Sequence, residues 1–262
     1  FDDFFREPLR AQLEKAGVRI INEPYPLEKP DYVVRSSAVQ ASDSRLLSFE
    51  TQGIKVWQRG EFLAHICKSK KVVAVVGSHG KTTTTGMLTW ALDQIGFDFS
   101  YMVGGRFRND VLAAGKASSK SPWMILELDE SDGTIDFHSP YLTTILNCDW
   151  DHVDRYKSPE ELSQVFLELF KRTESCLLVP RGSPLAETAQ EEFADKIQSF
   201  DSALDSIDYM KSNEAAVVAT AHAMGVDISP VDFSQFPGME RRQSVLFEDS
   251  DLTVVEDYAH HP

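Results

Sequence analysis

The sequence predicts an α/β protein built on a doubly wound parallel sheet, and three features support that prediction. Near-continuous apolar runs alternate with segments of helical pattern, as is typical of strands covered on both faces. One of these runs breaks into a glycine-bracketed loop before a helical pattern resumes. Two later runs end in clusters of acidic side chains, one with a histidine, at the edge where open parallel sheets bind their ligands.

The first part of the chain predicts a small α/β domain over residues 1–67. A helical pattern at 5–15 is followed by short β segments at 18–21 and 31–35 and by a second helix near 61–67. The chain opens without the strand and glycine turn that usually start such a unit. We therefore expect only part of this domain to be present.

A central domain is predicted over residues 68–236. Its expected strands cover 123–128, 141–146, 176–179 and 197–200, and its expected helices 81–95, 159–172 and 213–224. The second of these helices carries a capping box, with Ser158 at the N-cap, Pro159 at N1 and Glu161 at N3. Residues 230–238 read as a linker. Residues 237–262, where 252–255 begin a new β element, are expected to open a further domain that is mostly absent.

Composition and charge exclude several classes of partner. The 262 residues suffice for about two domains, and 42% hydrophobic with 26% charged residues is typical of globular proteins. A net charge of −15, from 41 acidic and 26 basic residues, opposes binding to nucleic acid and to anionic membranes. We therefore expect no nucleic-acid partner, no membrane partner, and a monomer or weak dimer.

The cysteines and the apolar runs predict a cytoplasmic protein. Cys67, Cys148 and Cys176 are widely spaced, which suggests neither a disulfide framework nor a zinc site and fits a reducing compartment. No apolar stretch approaches the ~18 residues that a membrane span needs. No basic-then-apolar leader opens the chain, so no signal peptide is expected.

The glycine loop after the run at 72–76 predicts a polyphosphate site. Backbone N–H groups in a tight glycine turn and at a helix N-terminus point at anionic oxygens. Lys81 would place its charge on the β and γ phosphates, and the Thr82 hydroxyl would bind Mg²⁺. Val75 stands where the standard P-loop pattern has its first glycine, so this is a shorter variant. The alternative is a strand–turn–helix unit with an incidental lysine.

Acidic residues at 127–132 follow the strand at 123–128, and one of them is the natural partner of Thr82 on Mg²⁺. A solvated acidic loop is the alternative interpretation. Residues 147–154 follow the next strand and place His152 between aspartates. We interpret His152 as the functional histidine, and His65, His138 and His222 as surface or packing residues.

These motifs together resemble the Mur ligase family, the ATP-dependent enzymes that build the peptide of bacterial peptidoglycan. The residues that carry the resemblance are Gly77-Ser78-His79-Gly80-Lys81-Thr82-Thr83-Thr84, Asp129-Glu130-Ser131-Asp132, Asn147-Cys148-Asp149-Trp150-Asp151-His152, Arg241-Arg242 and Asp257-Tyr258-Ala259-His260-His261-Pro262. Within the family they resemble most closely the ligases that join L-alanine to UDP-N-acetylmuramate. The Ser-Ser-Ala segment at 36–38 resembles part of those ligases' UDP-binding domain.

The resemblance implies an ADP-forming carboxylate–amine ligase with ATP and Mg²⁺ as cofactors, and with UDP-N-acetylmuramate and an amino acid or short peptide as partners. It implies a partial N-terminal UDP-binding domain, a central domain with a P-loop ATPase-like site, and a C-terminal Rossmann-like domain that is mostly absent. The implied catalytic residues are Lys81, His152 and His260. The implied nucleotide contacts are Gly77, Ser78, His79, Gly80, Lys81, Thr82, Thr83, Asn213 and Arg241, with Arg242 as the alternative arginine at the hinge. The implied metal ligands are Thr82 and Glu130 on one Mg²⁺ and His152 on a second metal, and the implied substrate contacts are Ser36, Ser37 and Ser131.

Other functions remain open at this point. A murein-tripeptide recycling ligase shares the glycine loop, and residues 85–87 with Trp90 resemble it, although it usually has tyrosine in place of Ser131. A non-catalytic nucleotide-binding relative is a second alternative, because Tyr209 and Met210 replace the family's His-Asn pair. A simple P-loop kinase or GTPase would leave the residues at 257–262 without a role.

Overall fold

The computed structural model describes residues 7–20, 29–152, 155–202, 209–242, 244–249 and 251–257. The chain divides into two compact units, Phe1–Gln58 and Arg59–Pro262. The three-domain division at 67/68 and 236/237 stays a prediction. None of the helices in the described part of the chain combines the length and the apolar character needed to cross a lipid bilayer.

The first unit contains two helices and a two-stranded parallel sheet. Its elements are α1 Glu7–Lys15, β1 Tyr32–Arg35, α2 Ser44–Thr51 and β2 Lys55–Gln58, with β1 paired to β2. Asp43 caps α2 by accepting the Arg45 N–H at 2.9 Å. The prediction of a strand at 18–21 is wrong for residues 18–20, which form no strand, and Ile21 lies outside the described residues. Helix α2 and strand β2 were not predicted from the sequence.

The second unit is built on a seven-stranded sheet in the order β5-β4-β6-β3-β7-β8-β9. Its strands are β3 Lys71–Val76, β4 Ser100–Met102, β5 Gly115–Lys116, β6 Trp123–Glu127, β7 Leu142–Ile145, β8 Cys176–Pro180 and β9 Ile197–Phe200. All neighbours are parallel except β5, which pairs antiparallel at one edge. The predicted parallel sheet is confirmed, and its strands end together at one edge.

Helices cover both faces of this sheet. They are α3 Arg59–Ile66, α4 Lys81–Gln94, α5 Pro159–Arg172, α6 Pro184–Glu192 and α7 Tyr209–Ala223. Successive side chains of β3 point to opposite faces. Val73 and Val75 accordingly pack with apolar residues of α4 and α7, whereas Ala74 and Val76 pack with those of α3, α5 and α6. The sheet is therefore doubly wound, as the sequence predicts.

The predicted capping box at α5 forms in a modified version. The Ser158 hydroxyl accepts the Glu161 N–H at 3.4 Å, as expected. The Glu161 carboxylate, however, accepts the N–H of Lys157 at 2.7 Å and not that of the N-cap residue. The Glu161 carboxylate thus satisfies the N–H of Lys157, the residue before the N-cap, in place of the N–H of Ser158.

The segment predicted as a linker at 230–238 packs against the core of the second unit through half-buried aromatic side chains. It contains a 3₁₀ turn, Phe233–Gln235, and the rings of Phe233 and Phe236 lie 6.4 and 5.6 Å from the ring of Trp90 on α4. An antiparallel hairpin follows, formed by β10 Ser244–Glu248 and β11 Thr253–Glu256. The β element expected at 252–255 is therefore confirmed.

Candidate functional site at the carboxyl edge of the sheet

The glycine loop connects β3 to α4 and requires glycine at both ends. Gly77 has φ 137° and Gly80 has φ 81°, backbone angles that residues with a side chain rarely adopt. A Cβ on Gly77 would lie 3.1 Å from the backbone of Asn147, and one on Gly80 would lie 2.9 Å from Oδ1 of Asn213. The predicted nucleotide contact Asn213 thus lies against the loop. The free N–H groups of the first turn of α4 begin at Lys81.

The end of β7 holds the glycine loop in place. Asn147 accepts the His79 N–H through Oδ1 at 2.9 Å and donates to the His79 carbonyl through Nδ2 at 3.1 Å. The Ser78 hydroxyl donates to the Asp149 carbonyl at 2.6 Å. These contacts engage the N–H and the carbonyl of His79 and the hydroxyl of Ser78. The conformation of the glycine loop therefore depends on the residues that follow β7, about 70 positions later in the chain.

Lys81 pairs with a buried carboxylate. Its ammonium donates to Glu130 at 2.9 and 3.0 Å and to the Gly77 carbonyl at 2.7 Å. The Glu130 side chain is fully buried. Burial raises the pKa of Glu130, and the positive charge of Lys81 opposes that rise. The pair holds the Lys81 ammonium against the first glycine of the loop.

His152 lies beside the same carboxylate and completes a group that can hold a cation. Its Nε2 is 3.4 Å from Glu130 Oε1, and donor atoms of Asp129, Glu130 and His152 all lie within 4.8 Å of one another. Tyr156 joins the two segments, since its hydroxyl donates to the Glu130 carbonyl at 2.7 Å and its N–H to the His152 carbonyl at 3.0 Å. Carboxylate oxygens with an imidazole nitrogen suit a divalent cation.

Thr82 lies beside Glu127, a residue that the sequence analysis did not single out from its acidic cluster. The Thr82 hydroxyl donates to Glu127 Oε1 at 2.8 Å, and the Gly104 N–H donates to Oε2 at 2.8 Å. The structure thus does not bring Thr82 and Glu130 together as a hydroxyl–carboxylate pair. No local sequence signal distinguishes Glu127, because its position depends on strand register: Glu127 pairs with Val75 of β3, just before the glycine loop.

Of the two hinge arginines, Arg242 reaches the loop. Its Nη2 donates to the Thr82 hydroxyl at 3.3 Å. Arg241, the other arginine implied at the nucleotide, pairs with Glu256 of the hairpin at 3.2 Å. Thr83 is half-buried in the first turn of α4, next to Thr82. The guanidinium that faces the phosphate-binding loop is therefore that of Arg242.

The remaining predicted residues fall in three places. Ser131 lies in the acidic loop, where its N–H donates to Asp129 at 2.8 Å and its carbonyl accepts Arg155 at 2.9 Å. Ser36 and Ser37 are exposed residues of the first unit. The predicted catalytic His260 lies outside the described residues.

His138 is buried, and this burial lowers its pKa to about 4, which agrees with a packing role.

The chain matches the family description "Mur ligase middle domain" over residues 75–235. It is 31% identical over 273 residues to UDP-N-acetylmuramate--L-alanine ligase of Myxococcus xanthus, which covers 90% of this chain and 57% of that one. It is 28% identical to the ligase of the same name from Syntrophomonas wolfei, covering 96% of this chain and 63% of that one. The chain thus spans about three fifths of the length of these curated relatives.

Two solved structures show the same fold. UDP-N-acetylmuramate-alanine ligase MurC of Thermotoga maritima has a TM-score of 0.76 at 23% identity, covering 97% of this chain and 66% of that one. A murein peptide ligase of Psychrobacter arcticus has a TM-score of 0.75 at 22% identity, covering 98% and 66%. Both similarities extend over nearly all of this chain and support the same architecture.

Proposed function

Because the chain belongs to the Mur ligase family, we propose that it forms the ATP-binding part of an ADP-forming ligase that joins L-alanine to UDP-N-acetylmuramate. The observation that carries the proposal is the cluster at the start of α4. There Lys81, Thr82 and Arg242 meet the carboxylates of Glu127 and Glu130 beside His152. Cations, carboxylates and free helix N–H groups in one crevice are what a metal–nucleotide complex needs.

The reaction class follows from the chemistry of the substrates. A carboxylate does not react with an amine at neutral pH, because the leaving group would be oxide. Transfer of the γ-phosphoryl group of ATP to a carboxylate oxygen gives an acyl phosphate and ADP. The amine then attacks the carbonyl carbon, and the tetrahedral intermediate expels phosphate to leave the amide. Such a site contributes mainly positioning and neutralisation of phosphate charge.

Each residue of the cluster has a role in this proposal. The N–H groups of the glycine loop and of the first turn of α4 bind phosphate oxygens. Lys81 exchanges part of its contact with Glu130 for the β and γ phosphates when nucleotide binds. Arg242, rather than Arg241, neutralises charge on the phosphate beside Thr82. His260 is proposed to line the cleft to the amino-acid site, and Ser36, Ser37 and Ser131 to contact the sugar nucleotide.

The donor sets fit Mg²⁺. The Thr82 hydroxyl and the Glu127 carboxylate, which already face each other, would hold one ion, and Asp129, Glu130 and His152 would hold a second. Bound there, Mg²⁺ supplies positive charge to the phosphates. In this proposal Thr82 binds a metal with Glu127 in place of Glu130, and Glu130 shares the second ion with His152.

The test is amine-dependent release of ADP by the complete ligase of which this chain is proposed to form the ATP-binding part. We expect turnover only when ATP, Mg²⁺, UDP-N-acetylmuramate and L-alanine are all present, with glycine, serine and a murein tripeptide as competing acceptors. Preference for the tripeptide would favour the recycling ligase, in line with residues 85–87 and Trp90. ATP binding without amine-dependent release would favour a non-catalytic relative, and ADP release without any amine would favour a kinase.

A further inference from the structure

The hinge strap, which we define as residues 238–242, lies along a loop formed by residues 104–108. Phe107 and Met239 form an isolated antiparallel bridge. The Arg108 N–H donates to the Gly238 carbonyl at 3.0 Å, and the Glu240 N–H donates to the Arg106 carbonyl at 2.8 Å. The strap is therefore attached by backbone hydrogen bonds to the loop that follows β4.

The side chain of Arg108 contacts both ends of the hinge strap. Its Nη2 donates to the carbonyl of Arg242 at 2.5 Å. Its guanidinium also lies beneath Gly238, since a Cβ added to that glycine would be 3.2 Å from Arg108 Cζ. Gly238 has φ 85°, so the backbone turns there over the planar group. One flat side chain thus sets the path of the strap from its first residue to its last.

The loop at 104–108 and the hinge strap both lead to Thr82, in the first turn of α4. At one end, the Gly104 N–H holds Glu127, which accepts the Thr82 hydroxyl proton. At the other end, Arg108 holds the backbone of Arg242, whose side chain donates to the Thr82 oxygen. The position of the Arg242 guanidinium at Thr82 therefore depends on where Arg108 places the Arg242 carbonyl.

We propose that Arg108 is a positioning residue that orients Arg242 for binding the phosphates of ATP, an inference that rests on the proposed function. A long side chain held in advance loses less conformational freedom when its ligand binds, which raises affinity without a new contact. Arg108 acts on the Arg242 main chain, so its effect passes through Arg242. Its planar fork can donate to a carbonyl while its face packs under a glycine, a combination that lysine lacks.

A double-mutant cycle measures this dependence directly. The dissociation constant of a fluorescent ATP analogue with Mg²⁺ is measured for the wild-type chain, Arg108→Ala, Arg242→Ala and the double variant, at one fixed salt concentration. We expect each single substitution to weaken binding about tenfold, as for loss of a hydrogen bond to a charged group. The double variant should bind as weakly as Arg242→Ala alone, because Arg108 has no effect once Arg242 is removed.

Two further variants separate positioning from charge and from folding. Arg108→Lys keeps the positive charge, so binding as weak as in Arg108→Ala supports positioning, whereas wild-type affinity overturns it. Lys116→Ala removes a cation on the nearby strand β5 that pairs with Asp93 and does not touch the strap, and we expect its affinity to stay within about twofold of wild type. Thermal unfolding of every variant confirms that each is folded at the measuring temperature.

The outcomes distinguish the two levels of the argument. Multiplicative losses in the double variant would show that Arg108 and Arg242 act independently, which overturns the positioning role while the proposed ATP site stands. A wild-type chain that binds no ATP would overturn the proposed function itself and the positioning role with it. A non-additive cycle with a weak Arg108→Lys variant supports both.

Discussion

The ammonium of Lys81 lies 2.9 Å from the carboxylate of Glu130, and that carboxylate is fully buried. The pair makes Lys81 more than a phosphate ligand, because its removal would leave an uncompensated negative charge in the interior. Breaking such a pair by removing one partner costs about 3–5 kcal/mol, unless the remaining group takes up a proton. The sequence motif alone suggests only the phosphate role.

We expect Lys81→Ala to abolish ATP turnover and also to make stability depend on pH. Burial already raises the pKa of Glu130, and loss of Lys81 raises it further. A carboxyl with a raised pKa in the folded state is protonated in both states at low pH, so the penalty is absent there. The penalty grows as pH rises from the unfolded pKa towards the folded one.

Urea unfolding between pH 4 and pH 8 checks this expectation. Lys81→Ala should approach wild-type stability at the acidic end and fall below it as pH rises. The double variant Lys81→Ala/Glu130→Gln lacks the titrating group, so its deficit should be nearly independent of pH. A pH-independent deficit in Lys81→Ala itself would contradict the coupling.

Metal affinity should depend on Glu130 and Glu127 but not on Asp132. Glu130 shares a donor cluster with His152, and Glu127 faces Thr82, whereas Asp132 is engaged by Arg59 and the Thr134 N–H. Titration with Mn²⁺ followed by electron paramagnetic resonance is the measurement. We expect Glu130→Gln and Glu127→Gln each to weaken binding about tenfold or more, and Asp132→Asn to act as the matched control. Equal losses in all three would point to a diffuse electrostatic effect.

Asn147→Ala should loosen the glycine loop and weaken nucleotide binding. The substitution removes both hydrogen bonds to His79, each worth about 1 kcal/mol. We expect about a tenfold loss of ATP affinity, measured by calorimetric titration. Asn147→Asp keeps the acceptor but adds a negative charge beside the phosphates, so it should bind ATP still more weakly than the alanine variant. Wild-type affinity in both would show that Asn147 does not hold the loop.

Gly86→Ala should destabilise the second unit although it improves helix propensity. A Cβ on Gly86 would overlap Sδ of Met239, which is 1% exposed and has little room to move. Overpacking costs about 1–3 kcal/mol, against a helix gain of up to about 1 kcal/mol. We expect a net loss of about 1 kcal/mol in denaturant unfolding. Met239→Ala in the same chain should relieve the overlap, so the two losses should not add.

Several elements could be predicted from sequence because their signals are local. The apolar run of β3, the glycine loop and the Ser158-Pro159 start of α5 each reside in a few consecutive residues. Short elements with weaker patterns were missed, including α2 and β2. Helix α6 was also missed, although Ser183 stands at its N-cap and Pro184 is its first residue. The segment at 230–238 was read as a linker because its aromatic contacts with Trp90 are invisible in a local pattern.

For the site, sequence located the edge of the sheet where the chemistry lies and most of the side chains involved. It did not resolve which carboxylate faces which partner. Thr82 was expected with Glu130 on one ion and is found beside Glu127, and of the two arginines expected at the nucleotide it is Arg242 that lies at Thr82. Glu130, Arg241 and Arg242 lie in turns or bends, where the path of the backbone through the folded chain decides which side chain points into a cleft.

By itself, the sequence determined the doubly wound sheet and a phosphate-binding loop at Gly77–Lys81, since apolar periodicity, glycine conformations and a helix start are properties of neighbouring residues. Only the tertiary structure decided the pairings of Lys81 with Glu130 and of Thr82 with Glu127. The physical reason is that β6 emerges next to β3 in one register, with Glu127 beside Val75. Contacts between such distant segments depend on packing and register, which local pattern does not encode.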